Sequence, residues 1–263
     1  MRPLRFTGPS RLLLLLLAMP ALGMKLPIPH LYGRVVMNNG AAKAKVPPVG
    51  FDHWRHRSQF TCRLCHVDIG FAMAAGETRV TASSNKSGYH CGACHNGTTR
   101  IHGRTVFASC SGATTLDDAG SCRKCHARAD PARLEKEYAA LASGMPRDKF
   151  GGIDWEKAET EGRIRPLDFL EGVSISRAPL KNQREITIQS RGTWMADVLF
   201  SHPKHAVWNG CEVCHPDIFP STAGGAAHYS MMSITAGEAC GACHDKVAFP
   251  LADCSKCHLK PVQ

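Results

Sequence analysis

The stretch Phe200-Ser-His-Pro-Lys-His-Ala-Val-Trp-Asn-Gly-Cys-Glu-Val-Cys-His215 ends in Cys211 and Cys214, two residues apart, with His215 directly behind them. The same ending recurs at Cys62/Cys65/His66, Cys91/Cys94/His95, Cys122/Cys125/His126, Cys240/Cys243/His244 and Cys254/Cys257/His258, six times in all. A zinc site or a redox dithiol uses a Cys-x-x-Cys pair, but neither requires a His after every second Cys. The triplet reads as c-type haem attachment: two thiols add to the haem vinyl groups and the adjacent imidazole reaches the iron. Six covalently bound haem c groups are therefore expected, with their irons on His66, His95, His126, His215, His244 and His258.

Working outward, the sequence shifted by 149 residues falls on itself without a gap from Phe51 to His95 and from Phe200 to His244. His53 and His56 meet His202 and His205, Asp68-Ile69 meets Asp217-Ile218, and Gly76 and Gly88 meet Gly225 and Gly237. Cys91-Gly-Ala-Cys94-His95 meets Cys240-Gly-Ala-Cys243-His244. The third motifs differ in spacing, because the first copy carries a 17-residue insertion between His95 and Cys122. That insertion holds Cys110 and the polar Ser111 to Ser121 loop.

A low-spin electron-transfer haem needs a second axial ligand, imidazole or thioether. His53-x-x-His56 stands six residues ahead of Cys62, and His202-x-x-His205 six ahead of Cys211. A lone His is more often a surface or core residue, but a duplicated pair at fixed distance from a haem motif reads as ligands.

Phe-x-His-x-x-His followed by Cys-x-x-Cys-His, Cys-Gly-x-Cys-His and a third Cys-x-x-Cys-His resembles the triheme c7-type cytochromes and their multidomain relatives, in the cytochrome c3 superfamily. The resemblance covers Phe51 to His126 and Phe200 to His258. It implies that His53 ligates the haem at Cys62, His56 that at Cys91, His202 that at Cys211 and His205 that at Cys240. The chain departs from the pattern at the third haem of each module. The small c7 proteins place its distal His four residues before the second motif, where this chain has Ser87 and Ala236. Relatives with repeated modules use Met, which points to Met231 in the second module, with Met232 and His228 as alternatives. In the first module Ala82 stands opposite Met231, leaving Met73 first, then His90 or His102. Met ligation would raise the potential of that haem above its bis-His neighbours.

The chain opens with Arg2, Arg5 and Arg11, an apolar run from Leu12 to Leu17 and a small-residue site ending at Gly23. This predicts a signal peptide over 1–23; a retained anchor is disfavoured because the run is shorter than the ~20 residues of a bilayer span. Export to the periplasm, the cell surface or beyond follows. The formal charge of +10 falls to about +7 without those arginines and to about +1 once propionates and ferric cores are counted, so nucleic-acid binding is not indicated.

Five segments are expected: the signal peptide over 1–23, an extended N-terminal arm over 24–50, a first triheme module over 51–126, a linker over 127–192 and a second triheme module over 193–263. In the linker, Asp130-Pro131 caps a helix whose Leu134, Tyr138 and Leu141 share one face, Asp154 to Glu161 suggests another, and Glu185 to Gln189 alternates like a strand. The fold class is mainly coil with short α-helices. About 40 residues per haem are too few to bury each cofactor, so the porphyrins must supply much of the core, against Trp54, Trp208, Phe71 and Phe219.

No nucleotide-binding loop, metalloprotease motif or nucleophile constellation is present. The leading reading is an electron-transfer protein rather than an enzyme, carrying single electrons between a quinol-oxidising membrane complex or other cytochromes and a periplasmic or extracellular acceptor, as in anaerobic-type respiration. A multihaem reductase with one open haem binding a small oxyanion is a second reading. An assembling subunit of a cytochrome complex or filament, with Cys110 as a contact, is a third.

Overall fold

The computed structural model describes residues 27–38, 40–110, 122–178, 183–190, 192, 194–221 and 229–260. The 1–23 leader, the Ser111 to Ser121 loop and His228 lie outside the described residues.

In chain order, β1 (Arg34–Met37) pairs antiparallel with β2 (Val49–Asp52), and β2 runs straight into α1 (His53–Arg57). Next come α2 (Ala82–Lys86), the two-residue strands β3 (Arg100–Ile101) and β4 (Arg104–Thr105), α3 (Pro131–Leu141) and α4 (Trp155–Thr160). β5 (Glu185–Ile188) pairs with β6 (Asp197–Ser201), which runs into α5 (His202–Asn209); α6 (Met231–Thr235) follows, and β7 (His258–Lys260) closes a three-stranded sheet in the order β5-β6-β7. Coil and single turns make up the rest, as the composition led us to expect.

The expected extended arm is instead a hairpin packed on the first module. Arg34 pairs with Asp52 across β1 and β2, and the carboxylate is buried. The same unit recurs in the second module, where Glu185 stands opposite Ser201 as Arg34 stands opposite Asp52. The structural repeat therefore begins at about Gly33 and Arg184, upstream of the gapless alignment. Its connecting loops differ in length, which hides it from a fixed-offset comparison.

The two linker helices start where the sequence placed them. Asp130 accepts from the Arg133 amide and Asp154 from the Lys157 amide, each at 3.1 Å, satisfying amides that the first helical turn leaves unpaired. Their apolar faces form the larger polypeptide core: Leu134, Tyr138, Ala142, Ile153, Ala158 and Ile164 close around Trp54 of the first module and Trp208 of the second. Trp54 meets Tyr138 edge-on at 5.4 Å. A smaller core joins Phe60, Leu64 and Ile101 to Leu167 and Leu170. Thirteen apolar residues are buried among the described residues, which is little for a chain of this length. A cavity lies where such a core would be expected.

Candidate haem-binding site

Each His-x-x-His pair emerges at the start of a helix fed by a strand, so both rings leave one face, three residues apart. Phe51 wedges against both imidazoles, at 4.9 Å from His53 and 4.5 Å from His56. Phe200 repeats this at 4.7 Å from His202 and 4.4 Å from His205. The aromatic ahead of each pair thus fixes where the rings point.

Three of the four distal histidines come opposite the proximal histidine that the resemblance implies. Ring centres stand 6.4 Å apart for His53 and His66, 6.3 Å for His56 and His95, and 6.2 Å for His205 and His244. Direct contact between rings would be shorter. Two metal–imidazole bonds of about 2 Å each, plus the ring halves beyond them, span this distance. His202 and His215 are not brought to that spacing; His202 is half-buried, while Cys211 is exposed.

Tautomers agree with ligation. Nδ1 donates to a backbone carbonyl in His53 (Gly33, 2.6 Å), His66 (Phe71, 2.9 Å), His126 (Pro47, 2.7 Å) and His202 (Arg184, 3.1 Å). It does the same in His205 (Ser201, 2.8 Å), His215 (Phe219, 2.8 Å), His244 (Phe249, 3.2 Å) and His258 (Ala196, 2.6 Å). A carbonyl only accepts, so the proton sits on Nδ1 and the Nε2 lone pair is left for iron. Burial favours the neutral form of six rings: it lowers the pKa of His53, His66, His95 and His205, and brings His56 and His244 down to about 4. Burial pushes the thiols the other way, Cys65 up to about 12 and Cys91, Cys243 and Cys257 up to about 11. Redox dithiols and zinc thiolates need the reverse.

Carbonyls from the hairpins are a contribution that sequence reasoning missed. Gly33 and Arg184 precede β1 and β5, and Pro47 and Ala196 lie ahead of β2 and β6, so each module uses equivalent backbone atoms to orient its first distal and third proximal His. A carbonyl carries no side-chain signature, so only the position of the hairpin could have revealed it.

The Cys-Gly-Ala-Cys-His turns have a packing reason for their glycine. A Cβ on Gly92 would land on the Asn85 carbonyl oxygen, and one on Gly241 on the Ile234 carbonyl oxygen. Those carbonyls belong to α2 and α6, both closed by capping boxes, Thr81 with Ser84 and Ser230 with Ser233.

One continuous cavity of about 2250 Å³ runs through both modules, with cysteines of all six motifs except Cys211 on its walls. Its surroundings fit haem: spaced neutral imidazoles, protonated thiols and no polypeptide core inside. Among the described residues no three His, Cys, Asp or Glu side chains converge as an all-protein metal site. Met73, Met231, His90 and His102 line the cavity, whereas Met232 does not and is 83% exposed. His90 stands 5.5 Å from Phe71, and its buried Nδ1 has no hydrogen-bond partner. Cys110 also lines the cavity and accepts a long contact from Asn85.

No helix among the described residues is long and apolar enough to cross a membrane. No curated protein matches the chain. Among solved structures, the C-terminal hexaheme fragment of GSU1996 is similar at 25% identity, over 86% of this chain and 96% of that one, with a TM-score of 0.26. The dodecaheme cytochrome c GSU1996 is similar at 24% identity over 86% and 74%, with a TM-score of 0.27. The family described as cytochrome c7 and related cytochrome c matches residues 49–127 and 198–259, which hold three motifs each and together make up more than half of the chain. With its imidazoles paired across haem-sized gaps, this chain belongs to the family of cytochrome c7 and related cytochromes c, multihaem proteins that bind haem covalently and transfer electrons along it.

Proposed function

We propose that the chain carries six haem c groups and relays single electrons between a membrane donor, such as a quinol-oxidising complex or another cytochrome, and a periplasmic or extracellular acceptor. The observation that carries this reading is the set of three imidazole pairs at 6.2–6.4 Å around one continuous cavity. Haem iron cycling between ferric and ferrous supplies the redox chemistry. The chain supplies axial ligands, low polarity and fixed spacing. The 1–23 leader supports export, with residence in the periplasm or at the cell surface. The partners are redox proteins rather than nucleic acid, and assembly into a complex or filament is compatible with this role. Among the sulfur candidates we assign Met231 to the haem at Cys254 and Met73 to that at Cys122. His90 competes with Met73, because it lines the same cavity beside Phe71 while Met73 is 40% exposed.

The reductase reading gains one specific observation. His202 is not opposite His215, and Cys211 is exposed, so the haem at Cys211 is the one whose sixth position could open to a small anion.

The test is haem quantification by pyridine haemochrome, followed by electron paramagnetic resonance of the oxidised protein with and without cyanide or nitrite. Six low-spin haems insensitive to both anions support the relay. A high-spin signal that takes up the anion supports the reductase, and fewer than six haems overturns the stoichiometry.

A further inference from the structure

Arg57 is the last residue of α1, one position after the haem ligand His56, yet it reaches away from its own module. Nη1 donates to the Val247 carbonyl at 2.5 Å, just beyond the Cys240/Cys243/His244 motif of the second module. The guanidinium lies over Trp155 of the linker at 5.0 Å and over Trp208 of the second module at 4.9 Å. Arginine stacked between two indoles is held by its planar face. Nε is buried with no hydrogen-bond partner, and among the described residues no carboxylate forms an ion pair with this side chain.

The charge sits between two haem sites. It acts on Cys62 and His53 of the first module and on Cys243 and His244 of the second. Cys62 in turn lies within electrostatic reach of Cys214 and Cys243, so the leading motif of the first module stands beside two motifs of the second. The arrangement is not part of the repeat: the positions equivalent to Arg57 and Trp208 are Ala206 and Gln59. A residue serving each module separately would be expected in both copies. One found in a single copy, and aimed at the other, serves the junction.

We infer that Arg57 is the electrostatic bridge of the inter-module junction, its charge held between the motifs at Cys62 and Cys240 and raising the reduction potentials of the haems there. Asp154 acts on this charge from a distance but forms no ion pair with it, and a buried cation without a direct partner is stabilised by a further anion nearby, which haem carboxylates would supply. A positive charge near iron favours the ferrous state, which carries one positive charge fewer. The inference rests on haem being held at both motifs, as proposed above.

The experiment is a redox titration of purified holoprotein, followed optically and by electron paramagnetic resonance, comparing native protein with Arg57→Gln and Arg57→Lys. Haem quantification is done first, so that a chain lacking haem at these motifs is recognised independently of the role of Arg57. Arg57→Gln is expected to lower the reduction equilibrium constant of two haems about tenfold, about 59 mV for a one-electron couple, leaving the others in place. Arg57→Lys keeps most of the native potential. A titration of Arg57→Gln that superimposes on the native one overturns the inference. So does a shift that Arg57→Lys fails to rescue, which marks a packing role alone. Should Arg57→Gln not assemble, Trp155→Leu opens the cage to water and lowers the same two equilibrium constants two- to threefold; an unchanged titration there overturns the inference as well.

Discussion

Arg63 and Glu212 occupy the same position in the two repeats, immediately after the first cysteine of the leading motif, and they face each other with Nη1 3.9 Å from Oε2. The two modules thus meet leading motif to leading motif, with opposite charges at equivalent positions. Equivalent surfaces brought face to face must be complementary to themselves, and this substitution in a duplicated sequence makes them so. Linker residues complete the contact: Asp168 pairs with Arg63, and Arg177 bridges Asp68 and Glu212.

The contributions of these charges are unequal. Arg63 is 6% exposed, while Glu212 is 42% exposed. Arg63→Met should cost about 2 kcal/mol by loss of charged hydrogen bonds to Asp168, measured by denaturant unfolding. Glu212→Gln should cost less than about 1 kcal/mol. The reverse ranking would mean that Glu212, not Asp168, anchors the arginine.

The paired imidazoles differ in orientation. His53 and His66 are 3° from parallel, whereas His56 and His95 are crossed by 65° and His205 and His244 by 62°. Parallel ligand planes split the two iron π-type d orbitals, and crossed planes nearly cancel that splitting. The oxidised protein should therefore show a rhombic low-spin signal from the haem at Cys62, alongside highly anisotropic signals from those at Cys91 and Cys240. Loss of the rhombic signal in His53→Met, with the anisotropic ones unchanged, checks the assignment.

On the proposed ligation, His205→Ala removes one of two axial ligands from the haem at Cys240. Thioether bonds should hold the cofactor, so haem content stays constant while one haem becomes high-spin and binds cyanide. A variant that remains wholly low-spin would place His205 away from iron.

Gly92→Ala and Gly241→Ala each push a Cβ onto a carbonyl of a capped helix. Backbone yields less than a flexible side chain, so each should lose about 1–3 kcal/mol, read as a lower unfolding midpoint. Gly88→Ala provides the contrast. Its φ of +82° strains any L residue, but nothing stands within 4 Å of the added atom, so its loss should be smaller, on the order of 1 kcal/mol.

The sulfur ligands can be separated from His90 by near-infrared absorption, where thioether-to-iron charge transfer gives a weak band. Met73→Leu and Met231→Leu should each remove part of that band. If Met73→Leu leaves it intact while His90→Gln makes one haem high-spin, the haem at Cys122 is bis-imidazole.

The family and the duplication could be read from the sequence because covalent chemistry dictates the motif's spacing: Cys-x-x-Cys-His must fit one porphyrin edge wherever it occurs. The helix cap at Asp130 was equally legible, since a cap acts within a single turn. The distal assignments of His53, His56 and His205 needed the family resemblance, and tertiary structure then brought those rings opposite their partners. Other features left no local trace. The carbonyls of Gly33, Pro47, Arg184 and Ala196 orient ligands through backbone atoms that every residue has. The reach of Arg57 into the other module and the meeting of Arg63 with Glu212 depend on how two copies of one unit dock. Docking is decided by burial and charge summed over residues far apart in the chain, and only the tertiary structure performs that sum.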